Sequence, residues 1–166
     1  MKIKAIDTYY KGYKFRSRLE ARWAVFFDAL NIEWEYEPEG YKFEDGTCYL
    51  PDFWLPQVKM WAEVKPIEFN DEEIIKVKNL VKHTNYPVIE LIGVPELTTY
   101  NCWEMYKGEP WFNNEVVLSN YHNYPQDEGR FYSMPGEAIE DYPEYFPDTL
   151  IAVNAAKSKR FEFNGE

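Results

Sequence analysis

The chain has 166 residues, a length that fits one domain with a sizeable core. Hydrophobic residues make up 45% of it and aromatic residues 19%, which excludes an intrinsically disordered protein. The formal net charge of −11 excludes a histone-like coat of nucleic acid, because such binding needs clustered Lys and Arg, but it does not exclude a nucleic-acid enzyme.

The N-terminal region is basic and leads into an amphipathic helix. Residues 1–22 hold seven basic and two acidic side chains, a net of +5, and the remaining residues hold 11 basic and 27 acidic ones, a net of −16. From Ser17 onward, apolar side chains recur at helical spacing as far as Leu30. Ser17 and Glu20 have the spacing of a capping box, which predicts that the helix begins at Ser17.

Three extended segments are predicted to follow this helix. Residues 32–36 alternate between apolar side chains and glutamates, as in a strand with one face in water. Residues 41–50 are predicted to form a hairpin, because their centre contains the turn dipeptide Asp-Gly. Residues 58–65 alternate again, and a proline ends the segment.

A second helix and a buried strand complete the predicted core. Residues 71–84 have helical spacing and begin with three acids, which suit a helix N-terminus. Residues 88–94 are a near-continuous apolar run, typical of a buried central strand. The order of helix, three strands, helix and strand over about residues 12–94 predicts an α/β (α+β) fold.

The pattern is less regular beyond the predicted core. Residues 95–147 are rich in aromatic residues and turn formers, and we interpret them as an insertion or cap with short strands around residues 115–118. A C-terminal helix is predicted over about residues 148–161, capped by Asp148 and basic at its end. The chain is thus predicted to form a single domain over residues 1–166.

Asp52, Glu63 and Lys65 are the candidate catalytic residues. Strand alternation puts Glu63 and Lys65 on one face, and Asp52 lies opposite Glu63 if residues 49–55 pair with residues 58–65. Two carboxylates that converge are costly unless a cation neutralises them, and hard oxygen ligands suit Mg²⁺ or Mn²⁺. A lysine beside such an ion can orient or deprotonate an attacking water and offset the charge of a phosphate.

Glu20 is a further candidate with two competing interpretations. On a helical wheel it lies beside Trp23 and Phe27, so its carboxylate points towards the sheet and needs a partner there. It either completes the capping box with Ser17 or contributes to a metal site. Both interpretations remain open at this stage.

A motif with a known counterpart combines Pro51-Asp52 with Glu63-Val64-Lys65. It lies downstream of the helix that carries Ser17-Arg18-Leu19-Glu20. Together with the order of elements, they resemble the PD-(D/E)xK nuclease superfamily. The basic ending over residues 154–162 adds to the likeness, which is greatest for small single-domain nuclease-like proteins encoded by phages. The resemblance implies a restriction-endonuclease-like αβββαβ core with a mixed sheet.

The resemblance also implies a function, namely metal-dependent hydrolysis of phosphodiester bonds, with DNA as the expected substrate. The catalytic residues carried over are Glu20, Asp52, Glu63 and Lys65. Of these, the three acids are expected to bind Mg²⁺ or Mn²⁺, and Lys65 is expected to position the attacking water. Many relatives carry Gln or Tyr on the helix after the lysine, where this sequence offers Lys76 and Lys78.

Nucleic acid is the expected partner, and basic side chains near both termini are candidate phosphate contacts. They are Lys14, Arg16, Arg18, Arg22, Lys157, Lys159 and Arg160. An alternative is that these cations form a solvated face that balances the acidic middle. A homodimer is expected if the enzyme cuts both strands of a duplex.

A rival function is a binding protein on a nuclease scaffold, for example a phage inhibitor of a host defence protein. Such a protein would use its acidic, aromatic surface, since Tyr and Trp are enriched at protein interfaces. A binding role of this kind needs no metal, whereas the nuclease does. The two hypotheses therefore differ in whether the carboxylates bind a divalent cation.

The expected location is the cytoplasm, or the host cytoplasm if a phage encodes the protein. The longest uninterrupted apolar run, Trp23 to Phe27, cannot span a bilayer, and the first residues lack the apolar region of a secretory signal. Cys48 and Cys102 have no CxxC spacing and are expected to be single buried thiols.

Overall fold

The structure, a computed structural model, describes residues 4–119, 131–133 and 146–161. Its helices are α1 (Arg18–Ala29), α2 (Asp71–Thr84) and α3 (Pro147–Ser158). Its strands are β1 (Thr8–Tyr10), β2 (Tyr13–Phe15), β3 (Glu35–Tyr36), β4 (Tyr41–Lys42), β5 (Cys48–Tyr49), β6 (Phe53–Leu55), β7 (Met60–Lys65), β8 (Val88–Ile92), β9 (Tyr100–Tyr106), β10 (Glu109–Leu118) and β11 (Phe131–Ser133). Among these described helices, none is long and apolar enough to cross a membrane.

Seven strands form one mixed sheet in the order β11-β10-β9-β8-β7-β6-β3. Neighbouring strands are antiparallel except β7 and β8, which run parallel with Trp61 opposite Val88 and Lys65 opposite Ile92. Parallel strands need a crossover connection, and α2 provides it. The predicted α/β core with a mixed sheet and a C-terminal helix is therefore confirmed.

Two hydrophobic cores cover the two faces of this sheet. Ala62 and Val64 of β7 pack in the core that contains residues of α1 and α3, whereas Trp61 packs with residues of α2. Because successive side chains of a strand point to opposite faces, Glu63 and Lys65 share the α2 side with Trp61. The alternation of β7 thus decides which face of the sheet carries the candidate site.

Local side-chain chemistry explains where α1 and α2 begin and end. Ser17 is the N-cap of α1, and its hydroxyl accepts a hydrogen bond from the backbone N–H of Glu20 at 3.1 Å. Asn70 and Glu73 form a reciprocal capping box at the start of α2, and Asn85 ends this helix in the left-handed conformation. The predicted start of α1 and the predicted range of α2 are confirmed.

The start of α3 differs from the prediction. Its N-cap is Phe146 and its first residue is Pro147, so the predicted cap Asp148 lies inside the first turn. Proline suits the first helical position because its φ is already helical and its missing N–H needs no partner there. The prediction that Asp148 caps α3 was wrong, because Pro147 moves the start of the helix towards the N-terminus.

Two hairpins differ from the sequence-based expectations. β1 and β2 pair before Ser17, where no element was predicted, and the tight turn between them has positive φ at Lys11 and Gly12. The predicted hairpin around Asp45 and Gly46 forms, but its strands β4 and β5 make a separate two-stranded sheet. This small sheet contributes Tyr49 to the side of the central sheet that carries α2.

The predicted insertion over residues 95–147 is described in part, and that part continues the central sheet. β9 pairs with β8, β10 pairs with β9, and β11 pairs with β10, all antiparallel. The short strand expected at residues 115–118 is the end of the ten-residue strand β10. Residues 120–130 and 134–145 of the predicted insertion lie outside the described residues.

Arg22 joins α1 to the end of α3. Its Nη1 donates hydrogen bonds to the carbonyl oxygens of Ala156, Lys157 and Lys159 at 2.6, 3.2 and 3.2 Å. The last carbonyls of a helix have no partner within the helix, and they carry its negative dipole end. Arg22 therefore acts as a cationic cap that holds α3 against α1.

Replacing Arg22 by Ala should lower the free energy of unfolding by about 1–3 kcal/mol, because it removes charge-assisted hydrogen bonds to the end of α3. Urea denaturation of the purified chain measures this loss. The exposed Arg160 provides the control, since Arg160→Ala should change stability by no more than about 0.5 kcal/mol. An Arg22→Ala variant with wild-type stability would contradict the capping role.

Candidate active site

A cleft of about 350 Å³ lies where α1 and α2 begin and β7 ends. Its lining includes all the predicted catalytic residues, namely Glu20, Asp52, Glu63 and Lys65. Glu20 comes from the first turn of α1, Asp52 precedes β6, and the other two residues lie at the end of β7. Separate elements of the fold therefore bring the predicted residues together in one place.

The pairing of β6 with β7 sets the positions of Asp52 and Glu63. Phe53 lies opposite Ala62, which brings Asp52 opposite Glu63, as predicted. The backbone N–H of Val64 donates to Asp52 Oδ2 at 2.8 Å, and the backbone N–H of Asp52 donates to Glu63 Oε2 at 3.3 Å. The two acids are 4% and 3% exposed, so the strand pair holds two carboxylates side by side in the protein interior.

Burial dominates the electrostatics of this pair. It raises the pKa of Asp52 well above the ordinary value, and the nearby charges of Glu63 and Glu20 raise it further. Burial likewise raises the pKa of Glu63, although Lys65 and Tyr49 oppose this shift. The ionised pair is therefore unfavourable by itself, and a cation placed between the carboxylates would relieve the cost.

Lys65 remains an ammonium group in this environment. Its Nζ lies 3.1 Å from Glu63 Oε1 and 3.6 Å from Glu73 Oε1. Burial lowers the pKa of Lys65, but attraction to the carboxylates of Glu63, Asp52 and Glu73 outweighs it and leaves the pKa above the ordinary value. The geometry thus favours a role in donating hydrogen bonds to a water or a phosphate over a role in removing a proton.

Glu20 is held by side-chain hydrogen bonds at the start of α1, and its role in a metal site stays a prediction. The Ser17 hydroxyl donates to Glu20 Oε1 at 2.8 Å, and the Tyr36 hydroxyl donates to Glu20 Oε2. Tyr36 is itself held by a hydrogen bond from the backbone N–H of Arg16 at 3.1 Å. Because each carboxylate oxygen has a second lone pair, Glu20 can take part in the helix start and still offer an oxygen to an ion in the cleft.

Sequence reasoning missed Tyr36, which holds Glu20, and Tyr49, which lines the cleft. Tyr36 was assigned to the apolar face of a strand, and nothing in its alternation indicates a hydrogen bond to a residue 16 positions away. Lys76 lines the cleft as well. It is one of the two lysines that the sequence offers on the helix after Lys65, so its helical position did indicate it.

The two cysteines differ in environment. Cys102 is buried as predicted, and burial raises the pKa of its thiol to about 12. Cys48 is exposed and lines the cleft, so the prediction that it is buried was wrong. The reason is that β4 and β5 form their own small sheet, in which Cys48 pairs with the exposed Lys42 on the open face.

The seven predicted phosphate contacts are all described, and Arg16 alone among them lines the cleft. Arg22 caps α3 as shown above, Lys14 forms an ion pair with Asp7 at 2.9 Å, and Lys157 is ion-paired as well. The structure therefore singles out Arg16 as the predicted cation that is nearest to the carboxylates.

The candidate ligands for a divalent cation in the cleft are carboxylate oxygens. No group of three or more His, Cys, Asp and Glu side chains within the described part of the chain has the arrangement of a metal site. Asp52 and Glu63 nevertheless provide desolvated oxygen donors, and Mg²⁺ is commonly bound by one or two carboxylates together with waters and substrate phosphates. The chemistry of the pair thus fits a hard divalent ion.

Comparison with known proteins assigns no family. No protein-family model matches the chain, and no curated protein matches it significantly. The candidate site is therefore interpreted from its own geometry and electrostatics.

The raised pKa values of Asp52 and Glu63 predict how stability depends on pH. The folded protein keeps these protons at pH values where the unfolded chain has lost them, so their contribution to the free energy of unfolding falls as pH rises from about 4 through the raised pKa values. Asp52→Asn removes one such group. Between about pH 4 and pH 8, the free energy of unfolding of the metal-free variant should therefore fall by less than that of the wild type, and the two decreases should differ by about 1 kcal/mol or more.

Urea denaturation in EDTA at a series of pH values measures this difference. The comparison is between the slopes of the two stability curves, because the other titrating groups are common to both proteins. A variant curve parallel to the wild-type curve would contradict the interpretation that burial raises the pKa of Asp52.

Proposed function

We propose that the protein is a metal-dependent nuclease of the PD-(D/E)xK type that hydrolyses phosphodiester bonds in DNA. The observation that carries this proposal is the convergence of Asp52, Glu63 and Lys65 in one cleft, with two carboxylates buried side by side and a charged lysine beside them. Around the central sheet, the order of α1, β3, β6, β7, α2 and β8 matches the order that the resemblance implies, and β4 and β5 between them form a separate sheet. Fold and site therefore support the same function.

In this proposal Asp52 and Glu63 would hold Mg²⁺ or Mn²⁺, with Glu20 as a further oxygen donor. When bound, the ion supplies Lewis-acid activation of the phosphate and lowers the pKa of a water. Lys65 donates hydrogen bonds to the attacking water or to a phosphate oxygen, which orients the nucleophile and offsets negative charge. The backbone contacts of Asp52 and Glu63 keep the ligands in place.

The proposed setting is a reducing cytoplasm, which agrees with the two free thiols of the chain. The net charge of −11 opposes tight and non-specific binding to DNA. Affinity for the substrate is therefore expected to depend on the bound metal and on the few cations of the cleft. This favours a selective nuclease, or one that a protein partner recruits.

A second candidate function is a non-catalytic binding protein on the same scaffold. Tyr106 and Trp111, near the turn between β9 and β10, are 52% and 56% exposed, and their ring centres lie 5.5 Å apart. Exposed aromatic pairs of this kind suit protein interfaces. A titration with Mn²⁺ separates the two candidates, because the binding protein needs no metal whereas the nuclease requires it.

The nuclease proposal predicts the behaviour of two alanine variants. With Mg²⁺ or Mn²⁺ the wild type should cleave labelled single-stranded, double-stranded or branched DNA, and Asp52→Ala and Lys65→Ala should each lower the rate by about 100-fold or more. Calorimetric titration should show that Asp52→Ala loses Mn²⁺ binding and Lys65→Ala retains it. Lys78 is a matched control, because its Nζ packs over the ring of Trp103.

Two outcomes would contradict the proposal. Cleavage by Asp52→Ala at the wild-type rate would indicate a contaminating nuclease, and a wild-type protein that binds no Mn²⁺ would favour the non-catalytic candidate. Lys78→Ala should retain the wild-type rate. A loss of cleavage activity in Lys78→Ala would show that removing a positive charge from α2 is enough to disturb the protein.

Glu20→Gln separates the structural role of Glu20 from its proposed role as a metal ligand. Glutamine can still accept a hydrogen bond near Ser17 and Tyr36, but it lacks the negative charge. If Glu20 binds the metal, Mn²⁺ affinity should fall about tenfold or more while the free energy of unfolding changes by about 1 kcal/mol or less. Unchanged Mn²⁺ affinity would assign Glu20 to the start of α1 alone.

A further inference from the structure

We propose that Arg16 is a positioning residue that alternates between Asp52 and a backbone phosphate of the DNA substrate. In this scheme a metal at Asp52 displaces Arg16 towards the phosphate, and a bound phosphate draws Arg16 away from Asp52. The metal and the substrate therefore bind in the cleft cooperatively. The inference rests on the proposed nuclease function and extends it to the order in which the site is loaded.

The backbone of Arg16 is fixed, whereas its side chain bridges two acids. The residue follows β2 and precedes the N-cap of α1, and its backbone N–H donates to the Tyr36 hydroxyl at 3.1 Å. Its Nη2 lies 3.3 Å from Asp52 Oδ1 and also forms an ion pair with Glu37. The guanidinium group therefore stands beside the carboxylate that is the principal proposed metal ligand.

The contact between Arg16 and Asp52 is asymmetric. The side chain of Arg16 is 59% exposed and that of Asp52 is 5% exposed, so the arginine reaches in from solvent and can leave without disturbing the core. A separation of 3.3 Å is longer than the 2.7–2.9 Å or so of a strong charge-assisted hydrogen bond. The bond is thus weak enough for a divalent cation to displace.

A phosphate is a suitable second partner for the displaced guanidinium. Arginine presents its donors in a planar fork that matches the oxygens of a phosphate. Lys65 and Lys76 line the same cleft and add positive charge there. A cation at Asp52 would repel Arg16 towards the phosphate, and a phosphate would draw Arg16 away from Asp52.

This exchange is a thermodynamic coupling, and it must be reciprocal. If bound metal raises the affinity for DNA through Arg16, bound DNA raises the affinity for metal by the same factor. A purely structural ion pair between Arg16 and Asp52 would contribute to folding stability, but Asp52 and Arg16 would not be coupled in DNA binding. The two roles therefore differ in a quantity that binding measurements give directly.

The first test is a calorimetric titration of the full chain with Mn²⁺ in the absence of DNA. Arg16→Ala should bind Mn²⁺ about fivefold more tightly than the wild type, because a competing cation is gone. Lys14→Ala is the matched control, since Lys14 lies on β2 and pairs with Asp7. Equal or weaker binding by Arg16→Ala would overturn the inference, whereas no binding by the wild type would instead overturn the proposed function.

The second test measures the affinity for a fluorescent duplex oligonucleotide in EDTA, where no metal contributes and no cleavage occurs. Asp52→Asn should tighten DNA binding about fivefold when Arg16 is present and much less in the Arg16→Ala background. Glu63→Gln is the control, because it replaces an equally buried carboxyl group whose ion-pair partner is Lys65, and its effect should be the same in both backgrounds.

Additive effects of Asp52→Asn and Arg16→Ala would overturn the inference. Circular dichroism establishes that each variant is folded before binding is compared. If Arg16→Ala does not fold, Arg16→Gln replaces it in the same double-mutant cycle, since glutamine keeps part of the side-chain packing and removes the charge.

Discussion

The pairing of β6 with β7 is the constraint on which the candidate site depends. It is a short antiparallel contact, yet it sets Asp52 opposite Glu63 and supplies each carboxylate with a backbone N–H donor. These donors give each buried carboxylate a hydrogen-bond partner in the interior. The cost of their burial is partly uncompensated, as the direction of both pKa shifts indicates. A site of this kind is poised to accept positive charge.

Positively charged side chains from two different elements lie beside this pair. Lys65 continues β7 beside Glu63, and Arg16 reaches Asp52 from the segment between β2 and α1. Glu20 is fixed at the start of α1 by Ser17 and Tyr36, so its carboxylate is held at the edge of the same cleft. Because these groups come from strands and a helix start, their geometry is set by packed elements, which is what a catalytic constellation requires.

The sequence predicted those parts of the fold that local chemistry determines. Ser17 and the acidic start of the second helix marked both helix beginnings, and alternation placed Glu63 and Lys65 on one face. Contacts between distant segments could not be predicted from the sequence. One example is the hydrogen bond between Arg16 and Asp52, which are 36 residues apart. Strand β9 and the first part of β10 were also missed, because aromatic and polar residues occur on both of their faces and blur the period of two.

Contacts between distant segments also explain why the net charge was a poor guide to the site. Several cations that looked available for phosphates have partners within the protein, since Arg22 caps α3 and Lys14 pairs with Asp7. Among the described residues, these partners leave less unpaired positive charge than the number of cations suggests. Under the proposed function, attraction for a polyanionic substrate must arise inside the cleft, from the metal, Lys65 and a released Arg16. Substrate binding would then be conditional on metal binding, so an acidic protein could act on DNA without adhering to it.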